Sequence, residues 1–102
     1  MINSKQRAQL RAMANPIDTI VQIGKGGITE NVITQVSGAL KARELIKGRV
    51  LEASGLTAQE AADTLSRECL AEPVQVIGSR FVLYKESRAI PKDKRIKLVK
   101  GQ

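Results

Sequence analysis

The chain has 102 residues, one cysteine, no histidine and a formal charge of +7. That length suits one compact domain, and the lone Cys69 excludes an internal disulfide or a multi-cysteine metal site. Without histidine the usual general base, the commonest metal ligand and every Ser-His or Cys-His pair are missing, so the expectation is a non-enzymatic protein without metal or cofactor.

The opening "MINSKQRAQL" lacks the apolar stretch and cleavage site of a secretory signal, and no apolar run reaches the roughly 18 residues of a membrane span. A cytoplasmic monomer with no membrane partner is expected. "SKQRAQLRAMA", residues 4–14, predicts a short amphipathic helix capped by Ser4, with Leu10, Met13 and Ala14 inside and Lys5, Arg7 and Arg11 outside. Asn15-Pro16 ends it, because proline lacks an amide donor and disfavours helical angles in the residue before it. "IDTIVQI" then predicts a strand, with Thr19, Val21 and Ile23 on one face and Ile20 and Gln22 on the other.

After the glycines of "GKGG", Thr29 is placed to cap a second helix whose inward residues are Ile28, Val32, Val36, Ala39 and Leu40. "ELIKGRVL", residues 44–51, alternates as a strand, with Ile46, Gly48 and Val50 on one face and the cations Lys47 and Arg49 on the other. Thr57 and Glu60 have the spacing of a capping box. The helix they open should turn Ala61, Ala62, Leu65, Cys69 and Leu70 inward and Glu60, Asp63, Glu68 and Glu72 outward, with Cys69 a core thiol. Pro73 stops it, and "VQVIGSRFVLY" predicts a tight hairpin about Gly78-Ser79. Beyond Lys85 the chain is basic and aperiodic, which suggests a domain over residues 1–86 and a mobile or loosely docked tail over 87–102. The order α-β-α-β-α-β-β predicts an α/β sandwich around a four-stranded mixed sheet.

Charge is segregated along this order. Residues 1–50 hold eight Lys/Arg against three Asp/Glu, residues 51–79 hold Arg67 alone against five acids, and residues 80–102 hold eight against two. One basic and one acidic surface follow, and a polyanion is the natural partner of the first. The glycine-rich bend "IGKGGIT" fits that partner. A Walker loop would need its lysine after the glycines, and the dinucleotide fingerprint would need glycine where Thr29 stands. The remaining pattern is G-x-x-G, Gly24, Lys25, Gly26 and Gly27, a loop that can bring bare backbone amides and one cation against a sugar-phosphate chain at a helix N-terminus. Phe81 and Tyr84 fall on opposite faces of one strand and read as core, so recognition should rest on backbone and shape more than on base stacking.

The segments "SKQRAQLRAMA", "VQIGKGGIT", "ELIKGRV" and "VQVIGSRFVLYK" stand in the order and spacing of the CRM domain, and the chain resembles its stand-alone bacterial form over roughly residues 2–86. The resemblance implies an RNA-binding fold like the C-terminal domain of translation initiation factor three. The implied partner is ribosomal RNA of the large-subunit precursor, possible further partners being ribosomal proteins. It also implies that the family loop falls on Gly24–Gly27, with Lys5 in the K-Q motif and Lys47 in the E-L-I-K motif. Two positions depart from the family: Asn15 replaces a frequent histidine, and Gly48 stands where a β-branched residue is usual. Gly24, Lys25, Gly26 and Gly27, with Lys5, Arg11, Lys47, Arg49 and Arg80, are therefore the candidate RNA-binding residues, and Lys92, Lys94, Arg95 and Lys97 could add nonspecific attraction. A different reading makes the acidic helix at Glu60, Asp63 and Glu68 a dock for a basic ribosomal protein.

Overall fold

The computed structural model describes residues 2–100. Helix α1, Ser4–Ala14, is followed by β1, Thr19–Ile23; α2, Glu30–Arg43; β2, Leu45–Val50; α3, Ala58–Cys69; β3, Glu72–Ile77; and β4, Arg80–Tyr84. Short 3-10 turns occupy Glu52–Ser54 and Lys92–Lys94. The sheet order is β1-β2-β4-β3. β1 and β2 run parallel, as a crossover through α2 requires, and the other neighbours are antiparallel. The expected α/β sandwich with a mixed four-stranded sheet is what forms.

Each face of the sheet has its own core. On one side α2 and α3 bring Val36, Leu40, Ala61, Ala62 and Leu65 against Val21, Ile23, Ile46, Val50, Phe81 and Leu83. On the other, Leu10 and Ala14 of α1 pack with Ile2, Leu45, Val74, Val82 and Tyr84. Phe81 and Tyr84 thus serve opposite cores, as their odd spacing demands.

Local signals account for most boundaries. The capping box at Thr57 and Glu60 forms in both directions, and Thr29 accepts from the Val32 amide. The cap of α1, however, is Asn3 rather than Ser4: its side chain accepts from the Gln6 amide while the Gln6 side chain bonds back, the stronger reciprocal arrangement. Met13 is 39 % exposed, since only Leu10 and Ala14 meet the sheet. The pairing of β1 slips between Thr19 and Val21, so Thr19 lies opposite Lys47 and leaves the face of Val21 and Ile23.

Gly48 explains its departure from the family pattern. It faces Phe81 across the β2–β4 ladder, and a Cβ placed there would lie 2.3 Å from the Phe81 Cζ. The ring occupies the space a side chain would fill.

Leu70 was expected inside, yet it is 80 % exposed. The reason is that α3 ends at Cys69 and Leu70 turns left-handed at φ 55°, swinging out of the apolar stripe so that the chain can enter β3. Glu72 likewise belongs to β3 and not to an outward helix face. A left-handed non-glycine residue costs about 1–2 kcal/mol. Replacing Leu70 by glycine removes that cost and almost no packing, so we expect Leu70→Gly to gain about 1 kcal/mol in urea unfolding. A loss of stability would mean that Leu70 makes contacts the fold depends on.

Glu44 is the second left-handed residue, at φ 65°, and it is 1 % exposed. It caps α2 instead of opening β2. Its carboxylate accepts from the Ser87 amide and the Ile96 amide, each at 2.7 Å, and its backbone carbonyl accepts from Lys85 at 2.9 Å. These bonds correct the expectation of a loose tail. Ile96 and Leu98 pack onto the α1 core, and Gln6 and Gln9 of α1 hold the carbonyls of Val99 and Lys97 at 2.9 and 2.8 Å. The Ser87 hydroxyl donates to the Lys41 carbonyl. The segment through residue 99 is therefore strapped to the domain, while Gly101 and Gln102 lie outside the described residues.

Candidate nucleic-acid interface

Three loops meet at one end of the sheet. The Leu51 amide donates to the Ile23 carbonyl at 2.9 Å, and the Val50 amide to the Ser79 carbonyl at 2.8 Å, so the glycine loop, the Glu52–Ser54 turn and the β3–β4 turn are neighbours. Gly78, at φ 57°, supplies the backbone this hairpin turn needs.

The glycine loop is a single tight turn closed by the Gly27 amide on the Gly24 carbonyl at 2.9 Å, with Lys25 and Gly26 exposed at its tip. Its glycines are not equivalent. Gly27 sits at φ 68°, a conformation that side chains resist. Gly24 and Gly26 carry no such demand: a Cβ at Gly24 would meet only Leu51 Cδ1 at 3.8 Å, and one at Gly26 only Thr29 Cγ2 at 3.8 Å. The fold has room for a Cβ at both, and Gly26 is exposed. α2 follows immediately, and the amides of its first turn precede the first intrahelical bond, from Ile33 to Thr29. Glu30 in that turn and Glu52 after Leu51 are exposed carboxylates at the loop's rim, and Lys25 is the exposed cation at its tip.

On the sheet face away from α2 and α3, register organises the cations into rows that cross the strands. Gln22 pairs with Arg49, Arg49 with Arg80, and Arg80 with Ile77, giving an outer row across all four strands. Thr19, Lys47, Val82 and Gln75 form the next row inward. The outer row is uncovered: Gln22 and Arg80 are exposed, Arg49 is half-buried and Ile77 is 62 % exposed. The inner row passes under the end of α1, where Val82 is buried and the Lys47 ammonium lies 3.5 Å from the Asn15 carbonyl. Arg49 and Arg80 directly opposite each other are like charges on neighbouring strands, an arrangement that costs stability unless an anion lies between them.

The structure therefore brings Gly24, Lys25, Gly26 and Gly27 to one end of the sheet and places Lys47, Arg49 and Arg80 on the face away from α2 and α3, Arg49 and Arg80 in the row nearest that end. Lys5 is elsewhere. The Ile2 amide bonds Glu72, which pairs with Tyr84 at the far end of the sheet, so α1 begins there and runs roughly 15 Å before Asn15 reaches Lys47. Lys5 stands one turn before Gln9, which holds the tail at Lys97 and Val99, and belongs to a separate basic surface. Arg11 is exposed in the last turn of α1, between the two. The sheet-face residues Gln22, Gln75 and Ile77 are not among the candidate RNA-binding residues, because strand alternation places them beside the cations only once the register is known.

The acidic residues of α3 lie on the other side. Glu60, Asp63 and Glu68 are on α3, beneath the opposite face of the sheet. Cys69 is buried there, its thiol 3.8 Å from the Ile33 carbonyl; burial, only partly offset by Lys85, raises its pKa and keeps it in the unreactive thiol form. Burial, reinforced by the Glu44 and Glu86 charges, likewise raises the pKa of the Tyr84 phenol. Neither group takes part in the basic face. Among the described residues no cluster of three potential metal-ligating side chains occurs, and no helix is long and apolar enough to cross a membrane.

Fold and site together define a small α/β module with one basic sheet face beside a bare glycine turn. The chain belongs to the CRM family, since the model of the CRS1 / YhbY (CRM) domain matches residues 2–85. It is 42 % identical over 88 residues to Bacillus subtilis YqeI, named a probable RNA-binding protein, spanning 86 % of this chain and 92 % of that one. It is also 36 % identical over 86 residues to an RNA-binding protein of Haemophilus influenzae, covering 84 % and 87 % of the two chains. Among solved structures, that of SAV1595 from Staphylococcus aureus superimposes with a TM-score of 0.76 at 45 % identity, covering 97 % of this chain and all of that one.

Proposed function

We propose that this protein is a non-enzymatic RNA-binding module that holds a sugar-phosphate backbone against the Gly24–Gly27 turn, and that it acts on ribosomal RNA of the large-subunit precursor during assembly. The observation that carries the first part is the room around Gly24 and Gly26. Neither needs to be glycine for the fold, so their bareness serves something that approaches from outside. An extended polyanion fits the first-turn amides of α2, the Lys25 ammonium and, on the neighbouring sheet face, the Arg49–Arg80 pair whose repulsion an anion relieves, and these outweigh the rim carboxylates Glu30 and Glu52. Kinship supports RNA in particular, and the ribosomal assignment follows from the family resemblance.

The acidic-helix reading has less behind it. Glu60 accepts from the Thr57 amide at 2.9 Å and Asp63 from Gln59 at 2.9 Å, so two of its three carboxylates already serve α3 itself.

Gly26→Val is the direct test. A valine side chain there has space in the folded protein but stands where the backbone must approach, so thermal unfolding should be nearly unchanged. Affinity for single-stranded RNA, measured by fluorescence anisotropy, should fall about tenfold or more, the worth of one lost charge-assisted amide contact. Undiminished affinity in a folded variant would remove the turn from the interface.

A further inference from the structure

The glycine turn accounts for holding a backbone, but not for the groove at the far edge of the basic sheet face. Asn15, Lys47, Gln75, Ile77, Arg80 and Val82 line a depression between the end of α1 and the β3–β4 hairpin. Its floor is aliphatic, with Val82 buried and Ile77 largely open to water. Its walls carry two cations and the two side-chain amides of Asn15 and Gln75. An exposed isoleucine flanked by a guanidinium and a primary amide gains nothing from facing solvent, and the fold does not require it at the end of an edge strand.

Resting on the RNA reading above, we infer that this groove receives one unpaired base of the strand whose backbone is held at the glycine turn. The turn follows β1 and the groove sits over β4 and β3, so about three strand spacings of about 4.8 Å, roughly 14 Å, separate them. A ribose-phosphate chain crossing the strands over Gln22, Arg49 and Arg80 spans that gap in a few nucleotides, with phosphates on the arginine pair. At the far side a splayed-out base finds what bases require: an apolar surface from Ile77 and Val82, a guanidinium plane from Arg80 to lie against, and an amide offering both a donor and an acceptor to its edge. A paired base inside a duplex cannot enter. The groove therefore confers preference for single strands and for the base whose edge matches Gln75, while the turn contributes affinity for any backbone.

The test compares the full chain with Gln75→Leu, Ile77→Ser and Gly26→Val in binding 12-nucleotide homopolymers of A, U and C and a blunt RNA duplex. Both groove positions are at least partly solvent-exposed, and circular dichroism checks that each variant is folded. The expected result is that the wild type prefers one homopolymer over the others and over the duplex. Gln75→Leu should then lower affinity for that homopolymer about tenfold and leave the rest unchanged, Ile77→Ser should weaken all single strands but not the duplex, and Gly26→Val should weaken every ligand alike. Equal wild-type affinity for all homopolymers, or a uniform response to Gln75→Leu, overturns the base groove and leaves the backbone clamp standing. If the wild type binds neither single strand nor duplex, the RNA reading itself fails.

Discussion

Gly48→Ala should destabilise the protein by about 3 kcal/mol, and Gly48→Val should prevent accumulation of folded material at 37 °C. A Cβ at this position would approach the Phe81 ring at 2.3, 2.6 and 2.9 Å, and Phe81 is fully buried in the α2–α3 core. Overpacking of this kind forces either the ring off its rotamer or the β2–β4 ladder out of register, and both disturb the α2–α3 core. Against the roughly 5–15 kcal/mol available to a domain of this size, the loss is severe. Urea unfolding of Gly48→Ala, Phe81→Leu and the double variant gives a decisive cycle. Because the smaller side chain frees the space the alanine needs, the double variant should be more stable than the sum of the single losses predicts. Strict additivity would show that glycine is required at 48 for some reason other than the ring.

Glu44→Ala should cost about 3–5 kcal/mol and release the C-terminal segment. The carboxylate is the acceptor for two amides 52 and 43 residues away, and a hydrogen bond to a charged acceptor contributes about 1.5–3 kcal/mol. Removing it strands the amides of Ser87 and Ile96 where they cannot both be rehydrated without displacing the strap. Even Glu44→Gln is not conservative here. One of its two terminal atoms is an NH2 that would point at an amide N–H, so about half the loss should remain. Trypsin reads the consequence directly, since Lys92, Lys94, Arg95 and Lys97 lie in the strap. Cleavage after these residues should accelerate in both variants, and more in Glu44→Ala. A cleavage rate equal to wild type would mean that Gln6, Gln9 and the Ile96 and Leu98 contacts hold the segment without the carboxylate.

Much of this molecule was legible from local pattern. The Thr57–Glu60 capping box, the Gly78-Ser79 hairpin, the opposition of Phe81 to Tyr84 and the shared face of Lys47 and Arg49 all follow from interactions within a few residues or from strand alternation, and the family motifs fixed their order. What escaped was set by contacts distant in sequence. Glu44 continues the alternation of "ELIK" and so looks like strand, but tertiary bonds to Ser87 and Ile96 hold it left-handed at the end of α2. Leu70 continues the apolar spacing of α3 and is turned out because the chain must reverse there. The segment after Lys85 has no periodicity to read, because it is seated by the side chains of Gln6 and Gln9 rather than by its own pattern. At the candidate site the turn and its lysine could be read directly. The transverse rows could not, because they depend on register across four strands, including the slip between Thr19 and Val21.

The division of charge between the two faces of the sheet has a further result. Once a polyanion covers Arg49, Arg80 and Lys47, the side left toward solvent is that of α3, carrying Glu60, Asp63 and Glu68. A loaded molecule thus presents the carboxylates of α3, interspersed with Arg67 and the Lys41 and Arg43 of α2, to its surroundings. Those carboxylates repel a second nucleic-acid strand from α3, so any contact with one falls to the separate basic surface at Lys5 and the C-terminal segment.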